Sequence, residues 1–154
     1  MTDGTPTLLV VHHTESPACE AMLQAVLAGT RADGITGVTV VVRPALAATA
    51  VDVLAAHAFL LGTPANIGYM SGALKHFFDQ ICYPCRAATD GAGYGLFVHG
   101  NSGLDGAIRS VDSVAKGMGW QRRAAPVEVR AGLTADDVER CWNLGATLAA
   151  GLME

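Results

Sequence analysis

The chain has 154 residues, of which 51% are hydrophobic and 16% are charged, and its formal net charge is −4. This composition predicts a single folded domain over residues 1–154 and excludes an intrinsically disordered chain. The 10 basic residues form no run, so the sequence lacks the charge pattern of a nucleic-acid-binding protein. No apolar run reaches the roughly 18 residues that a membrane span needs. The N-terminus lacks the basic start of a signal peptide, so we expect a cytoplasmic location.

The start of the chain alternates between strand and helix patterns. The apolar run Thr7–His12 is typical of a buried strand. Ser16 followed by Pro17 predicts a helix, because serine is a preferred N-cap and proline suits the first helical position. β-branched residues then predict a second strand over Gly37–Val42.

The next segment, Ala45–Ala56, is rich in alanine and is predicted to be helical. We expect its larger apolar side chains, Val51 and Leu54, to face inward. A third strand is predicted over Ala58–Gly62, where an apolar run ends at a glycine.

The third strand leads into a segment that reads GTPANIGYMSGALKHFFDQI over residues 62–81. Its first part, with Gly62, Pro64, Asn66 and Gly68, predicts a loop whose backbone can approach a planar ligand closely. In its second part Ser71 predicts a helix N-cap. Apolar residues recur there at helical spacing, so we expect one buried face made of Met70, Ala73, Leu74, Phe77, Phe78 and Ile81.

The second half of the chain continues the alternation. The predicted segments are a loop over Cys82–Tyr94, a strand over Gly95–His99, a loop over Gly100–Gly106 that opens a helix, and a short strand over Pro126–Val129. Thr134 and Asp137 have the spacing of a capping box and predict the start of the last helix. Its predicted core face comprises Val138, Cys141, Trp142, Gly145, Leu148 and Leu152.

Five strands that alternate with five helices predict a three-layer α/β fold with a doubly wound, five-stranded parallel sheet. Right-handed crossovers favour the strand order 2-1-3-4-5. In such a sheet a ligand binds outside the C-terminal ends of strands 1 and 3, where the winding direction reverses. Three predicted loops meet there, namely His13–Cys19, Gly62–Ser71 and His99–Gly103.

The segment GTPANIGYMSGALKHFFDQ resembles the second flavin loop and following helix of flavodoxin-like FMN proteins. The resemblance is closest to NAD(P)H-dependent FMN reductases and quinone reductases. It rests on Gly-Thr-Pro at 62–64, Met-Ser-Gly at 70–72, Lys75 and Phe78. It implies a flavodoxin-like fold, FMN as cofactor, NAD(P)H as a possible co-substrate and a small-molecule electron acceptor such as a quinone. It also implies a homodimer or homotetramer.

The resemblance also assigns roles to residues in all three loops. In the family, backbone amides of the second loop hydrogen-bond the flavin, so Pro64, Ala65, Asn66, Ile67 and Gly68 would line the isoalloxazine ring. The family's phosphate loop corresponds to residues 14–19, where Thr14, Ser16, Ala18 and Cys19, with His13 beside them, would bind the FMN phosphate. The third loop contributes His99, Gly100 and Asn101. Because FMN carries the redox chemistry, no catalytic side chain and no metal ligand is predicted.

The first loop departs from the family pattern at two positions. Pro17 stands where the family has glycine, which removes an amide donor, and Glu15 adds a negative charge beside a phosphate dianion. These departures keep open a flavodoxin-fold domain that has lost tight FMN binding. A non-enzymatic flavodoxin-type electron carrier is a separate alternative to an enzyme.

Other cysteine and histidine residues are interpreted as structural. Cys82 and Cys85 have the spacing of a redox or half-zinc motif, but the chain has no second pair and the motif ends a helix rather than opening one. Cys19 and Cys141 lie on apolar helix faces, and His57 is expected to have a local structural role. His99 is open to two interpretations: a ligand-facing side chain or a hydrogen-bond partner of a neighbouring loop.

Overall fold

The structure is a computed structural model that describes residues 4–153. Residues 1–3 and 154, which belong to the predicted domain, lie outside the described residues. The strands are β1 (Thr7–His12), β2 (Thr39–Pro44), β3 (Ala58–Asn66), β4 (Tyr69–Met70), β5 (Gly93–Gly100), β6 (Gln121–Arg122) and β7 (Val127–Arg130). The helices are α1 (Pro17–Thr30), α2 (Ala50–Leu54), α3 (Gly72–Cys85), α4 (Leu104–Gly117) and α5 (Ala135–Ala150).

The sheet confirms the predicted parallel order. β2, β1, β3 and β5 lie side by side and pair in parallel. The predicted fifth strand is β7, which pairs with the end of β5, from Phe97 to Gly100. The edge is divided, because β6 pairs with the beginning of β5 at Gly93 and Tyr94. The short β4 runs antiparallel to β3 and forms a hairpin with it.

The two faces of the sheet carry two separate hydrophobic cores. Successive residues of a strand point to opposite faces, so Leu9 and Leu61 lie in one core and Leu8 and Leu60 in the other. α2, α3 and α4 cover the first core, and α1 and α5 cover the second. This is the three-layer arrangement that the alternation of elements predicts.

The helix starts follow the predicted signals. Ser16 accepts a hydrogen bond from the Cys19 amide at 3.2 Å, and Ser71 accepts one from the Leu74 amide at 3.2 Å. At α5, Thr134 caps the helix together with Asp137 in a complete capping box. Each cap satisfies an amide that the first helical turn leaves without a partner.

The Ala-rich segment differs from its predicted form. Only α2 is helical, because the capping box of Thr49 and Asp52 starts the helix at Ala50. Val51 and Leu54 are 76% and 51% exposed, so the prediction that they face inward is wrong. With the helix beginning at this point, Val53 is the residue that is fully buried.

Two predicted loops are partly regular structure. β3 does not end at Gly62 but continues to Asn66, because β4 gives its last residues a pairing partner. The predicted loop from Cys82 begins as helix, since α3 continues to Cys85, which is fully buried.

The buried face of α5 also differs slightly from the predicted one. Val138 and Trp142 are 43% and 39% exposed, so they do not belong to the core face. Leu144 is buried in their place, and Cys141, Gly145 and Leu148 are buried as predicted.

α1 and α5 pack side by side at very short range through two glycines. A Cβ atom on Gly29 would overlap the carbonyl oxygen of Trp142, and one on Gly145 would overlap the carbonyl oxygen of Val26. Both contacts are to backbone atoms, which cannot move without displacing a helix. The two glycines therefore set the distance between the helices.

We expect Gly145→Ala to destabilise the fold by at least about 2 kcal/mol, because overpacking of this kind forces backbone shifts. Gly117→Ala is the matched control, since a Cβ on Gly117 meets no atom within 4 Å. The control should be neutral or stabilising by up to about 1 kcal/mol through alanine's higher helix propensity. Urea unfolding of both variants measures the difference, and equal stabilities would contradict the close crossing of α1 and α5.

Candidate functional site

Three segments meet at the C-terminal edge of the central strands. Loop 1 (13–16) connects β1 to α1, and loop 3 (101–103) connects β5 to α4. The segment between them is the hairpin that the end of β3 forms with β4. β1 and β3 are neighbours whose connections leave in opposite directions along the sheet. The three segments therefore lie where doubly wound α/β proteins bind ligands.

Loop 1 is anchored at both of its ends. The amide of His13 donates to the carbonyl oxygen of Gly62 at 3.0 Å, which ties the loop to β3. At the other end Ser16 caps α1, and Pro17 occupies the first helical position without an N–H group. In the described part of the chain, no protein group accepts a hydrogen bond from the amides of Glu15, Ser16 or Ala18.

Two histidines lie at the base of loop 1. Nδ1 of His12 and the hydroxyl of Thr14 are 2.8 Å apart and share a hydrogen bond. Burial lowers the pKa of His12 from its ordinary value, and this effect outweighs the attraction of Glu20. Nδ1 of His13 is buried, and the described residues provide no hydrogen-bond partner for it. Buried polar atoms usually have a hydrogen-bond partner, so this nitrogen is free to form a hydrogen bond at the site.

The hairpin ends in a strained turn. Its central residues, Ile67 and Gly68, both have positive φ, of 51° and 71°, as a type I′ turn requires. Glycine adopts this conformation readily, but a β-branched residue such as isoleucine rarely does. Ile67 is also fully exposed, at 105%. The turn therefore holds an unfavourable backbone conformation at Ile67 and exposes its apolar side chain to solvent.

Buried polar groups hold the hairpin in place from behind. The Thr63 hydroxyl accepts from the Ser71 amide at 2.9 Å and donates to the Pro64 carbonyl oxygen at 2.8 Å. Ser110 of α4 accepts from the Met70 amide at 3.0 Å. Both hydroxyls are buried, so the hairpin is fixed to α3 and α4 by bonds that solvent does not weaken.

The tip of the hairpin rests directly on the start of α4. A Cβ on Gly103 would lie 2.8 Å from Cα of Gly68, and one on Gly106 would overlap the Gly68 carbonyl oxygen. Farther back, a Cβ on Gly100 would lie 3.0 Å from Cβ of Ala65. The glycines at the end of β5, in loop 3 and on α4 therefore allow the hairpin to approach these elements this closely.

The crevice between the segments is shallow. Its base is a cavity of about 10 Å³, enough for roughly one water molecule. Residues of loop 1, α1, β3 and β5 line it, namely His13, Thr14, Cys19, Met22, Gly62, Thr63, Phe97 and His99. A planar ligand at this edge therefore lies across the segments and does not enter the sheet.

A polar contact spans the crevice from loop 1 to the hairpin. The amide orientation of Asn66 that suits both of its polar atoms places the nitrogen 3.3 Å from a carboxylate oxygen of Glu15. Sequence reasoning identified both residues separately but missed this contact. A pairing between two loops 51 positions apart has no local signal in the sequence.

The predicted site residues are placed as follows. Loop 1, with His13, Thr14 and Ser16, lies next to the hairpin, and His13, Thr14, Cys19 and His99 line one cavity. Cys19 is at the same time a buried core residue, as its position on α1 predicts.

His99 makes the hydrogen bond to a neighbouring loop that is one of its two predicted roles. Its Nε2 donates to the Ala131 carbonyl oxygen at 2.6 Å, which fixes the ring against the loop after β7. Beside it, the Asn101 carbonyl oxygen accepts from Arg130 at 3.5 Å.

Residues interpreted as structural lie away from this edge or inside the core. His57 accepts a hydrogen bond from the Thr7 amide at 3.0 Å, which confirms a local structural role. Cys141 is buried in α5, and Cys82 and Cys85 lie in the last turn of α3. Within residues 4–153 no group of three or more His, Cys, Asp or Glu side chains is arranged to hold a metal ion. Those residues also include no helix that is long and apolar enough to cross a membrane.

Comparisons with known proteins identify the fold. No protein-family model matches the chain, and no curated protein sequence matches it significantly. Among solved structures, a flavodoxin from the domain Archaea superposes with a TM-score of 0.79 at 20% identity, covering 95% of this chain and 98% of that one. A WrbA-like flavodoxin from Agrobacterium tumefaciens gives 0.78 at 19% identity, with 96% and 97% covered.

A larger protein contains the same fold. The rubredoxin oxygen:oxidoreductase of Desulfovibrio gigas superposes with a TM-score of 0.78 at 18% identity, covering 96% of this chain but 37% of that one. At these identities the similarity concerns the fold. The chain therefore has a flavodoxin-like α/β fold.

We expect Ile67→Asn to stabilise the protein by about 1 kcal/mol, because asparagine tolerates the left-handed conformation that costs isoleucine about 1–2 kcal/mol. Ile67 is fully exposed, so the substitution removes no packing. Ile67→Val, which keeps the β-branch, is the control and should leave stability unchanged. Chemical denaturation of the three proteins measures the effect, and a destabilised Ile67→Asn variant would show that the turn is not strained.

Stability should fall as the pH is lowered through the range in which histidine titrates. The unfolded chain takes up a proton on His12 near pH 6.5, whereas the folded chain does so only at a lower pH because the residue is buried. The stability that neutral His12 contributes is therefore present above pH 6.5 and is lost as the pH falls through its lowered pKa. The free energy of unfolding, measured by denaturation at several pH values in this range, should change less with pH for His12→Asn than for the wild type. His76→Asn, at an exposed position on α3, should retain the wild-type pH dependence.

Proposed function

We propose that the chain binds FMN at the C-terminal edge of its sheet and passes electrons from NAD(P)H through it to a small acceptor such as a quinone. The observation that carries the proposal is the tip of the hairpin. Ile67 and Gly68 are exposed, Ile67 is strained, and no described residue accepts a hydrogen bond from their amides. Backbone strain at an exposed residue is characteristic of ligand-binding segments.

The hairpin suits the ring of a flavin. An isoalloxazine has a flat apolar body and an edge of hydrogen-bonding groups, and the hairpin offers an exposed apolar side chain next to free amides. Tyr69, which is 42% exposed, extends the same surface. The rigid support from Thr63 and Ser110 would keep these groups in position without a ligand, which lowers the entropic cost of binding.

The residues of this chain would hold and tune the flavin rather than react. FMN, when bound, supplies the hydride and electron chemistry. The amides of Ile67 and Gly68 would donate to the ring edge, and Asn66 would sit beside it. The shallow crevice leaves the outer face of a ligand open to solvent, where NAD(P)H and then the acceptor would approach in turn. Homodimer or homotetramer formation and a cytoplasmic location belong to the same proposal.

A non-enzymatic electron carrier is the second candidate, favoured by the flavodoxin among the structures of similar fold. The two candidates differ in one measurable property. An enzyme oxidises NADH or NADPH when FMN and a quinone are present, whereas a carrier needs a separate reductase. Steady-state oxidation of either nicotinamide by the FMN-loaded protein supports the enzyme, and its absence with FMN bound supports the carrier.

Flavin binding itself is tested by titration of the purified protein with FMN, followed by flavin fluorescence. We expect Gly106→Ala to weaken binding by about tenfold or more, because the new Cβ would overlap the carbonyl oxygen of Gly68 and push the hairpin tip away. Gly117→Ala on the same helix points into open space and should bind FMN as the wild type does.

The control for this titration is the fold of the two variants. Circular dichroism should show that both variants keep the fold, so that a loss of binding reports on the hairpin. A wild-type protein that binds no FMN would contradict the proposal and would favour a flavodoxin-fold domain without a flavin.

A further inference from the structure

We propose that the flavin site, on the premise of the proposed function, holds its ligand by the ring and gains nothing from the phosphate. Glu15 is the residue that removes the usual preference for the phosphorylated flavin. The chain should therefore bind riboflavin and FMN with similar affinity. Three features of loop 1 and its surroundings support this inference.

The first feature is the position of the Glu15 carboxylate. Glu15 immediately precedes Ser16, the N-cap of the 14-residue helix α1. The Asn66 amide nitrogen, 3.3 Å from the carboxylate, draws it over the crevice toward the hairpin. A ligand whose ring lies on the hairpin and whose chain extends to α1 must pass this carboxylate. A full negative charge is larger than the roughly half positive charge of a helix N-terminus, so the local field does not favour a dianion.

The second feature is the loss of two amide donors from the first turn of α1. The first three helical positions are Pro17, Ala18 and Cys19. Pro17 has no N–H group, and the Cys19 amide donates to Ser16. Among these three only the Ala18 amide remains available to an anion, whereas a helix usually presents all three. The amides of Glu15 and Ser16, which precede the helix, are also free.

The third feature is that Glu15 has no ion-pair partner among the described residues. In residues 4–153 no arginine, lysine or histidine forms an ion pair with Glu15. His12 lies below the loop, but its burial favours the neutral form. Ser16 and Thr14 still bring hydroxyl groups, which hydrogen-bond a neutral ribityl chain as well as they do a phosphate.

These features separate the two ends of the site. The hairpin end has free amides and an apolar surface for a ring. The loop 1 end offers hydroxyls, the free amides of Glu15, Ser16 and Ala18, and an acidic side chain. Uncharged polyol chains suit this second end, and a phosphate dianion does not.

The experiment compares dissociation constants for riboflavin and FMN, measured by quenching of flavin fluorescence, in the wild type and in Glu15→Gln. We expect the wild type to bind the two ligands within about threefold of each other. Glu15→Gln should strengthen FMN binding by about tenfold, because it removes a like charge at short range, and should leave riboflavin unchanged. Glutamine keeps an oxygen that accepts from Asn66, so the loop geometry is preserved.

Asp33→Asn is the matched control. It makes the same change in net charge at an exposed residue in the connection between α1 and β2, away from the C-terminal edge of the sheet. It should leave both constants unchanged. A gain in FMN affinity in this variant equal to that of Glu15→Gln would show that overall charge, and not Glu15, is responsible, and would overturn the inference.

The remaining outcomes distinguish this inference from the proposed function. A wild type that binds FMN at least about thirtyfold more tightly than riboflavin overturns the inference and leaves the proposed function intact. Equal binding of both ligands with no effect of Glu15→Gln overturns the role of Glu15. A protein that binds neither flavin overturns the proposed function, and the inference with it.

Discussion

The contact between Gly68 and the start of α4 is the constraint on which the site depends. The backbone of the hairpin tip lies so close to Gly103 and Gly106 that neither position has room for a side chain. A tip seated at this depth must turn sharply, and the type I′ turn does so with positive φ at both central residues. The strain at Ile67 is thus a consequence of the packing below it. The same packing holds the free amides of the turn in one orientation.

The sheet explains why this contact occurs at this place. β3 and β5 are neighbours, so the segments that leave their C-terminal ends must share one edge. Loop 1 joins them because β1 lies on the other side of β3. The bond from the His13 amide to the Gly62 carbonyl oxygen then fixes the loop relative to the hairpin. Parallel pairing and one backbone bond thus bring together residues that are up to 90 positions apart in the chain.

Sequence reasoning succeeded where local chemistry decides the structure. Ser16, Ser71 and Thr134 cap the predicted helices because capping involves residues only three positions apart. It failed at Val51 and Leu54, because α2 is a five-residue helix whose orientation depends on the neighbouring α3 and not on its own pattern. The pairing of β4 with β3 and the division of the sheet edge into β6 and β7 also depend on tertiary contacts, which no local pattern specifies.

The site shows the same division between local and long-range information. Gly-Thr-Pro and Met-Ser-Gly indicated a ligand-binding loop in this segment, yet the role of Thr63 as a buried link between Pro64 and Ser71 required the fold. Ser110, which holds the Met70 amide from another helix, had no signal of its own in the sequence. The supports of the hairpin are buried, whereas Glu15 at the opposite side of the crevice is exposed. Substitutions among the supports disturb the fold, while loop 1 can change its charge at little cost in stability. The geometry therefore allows the ring end of the site to persist while the anion end varies.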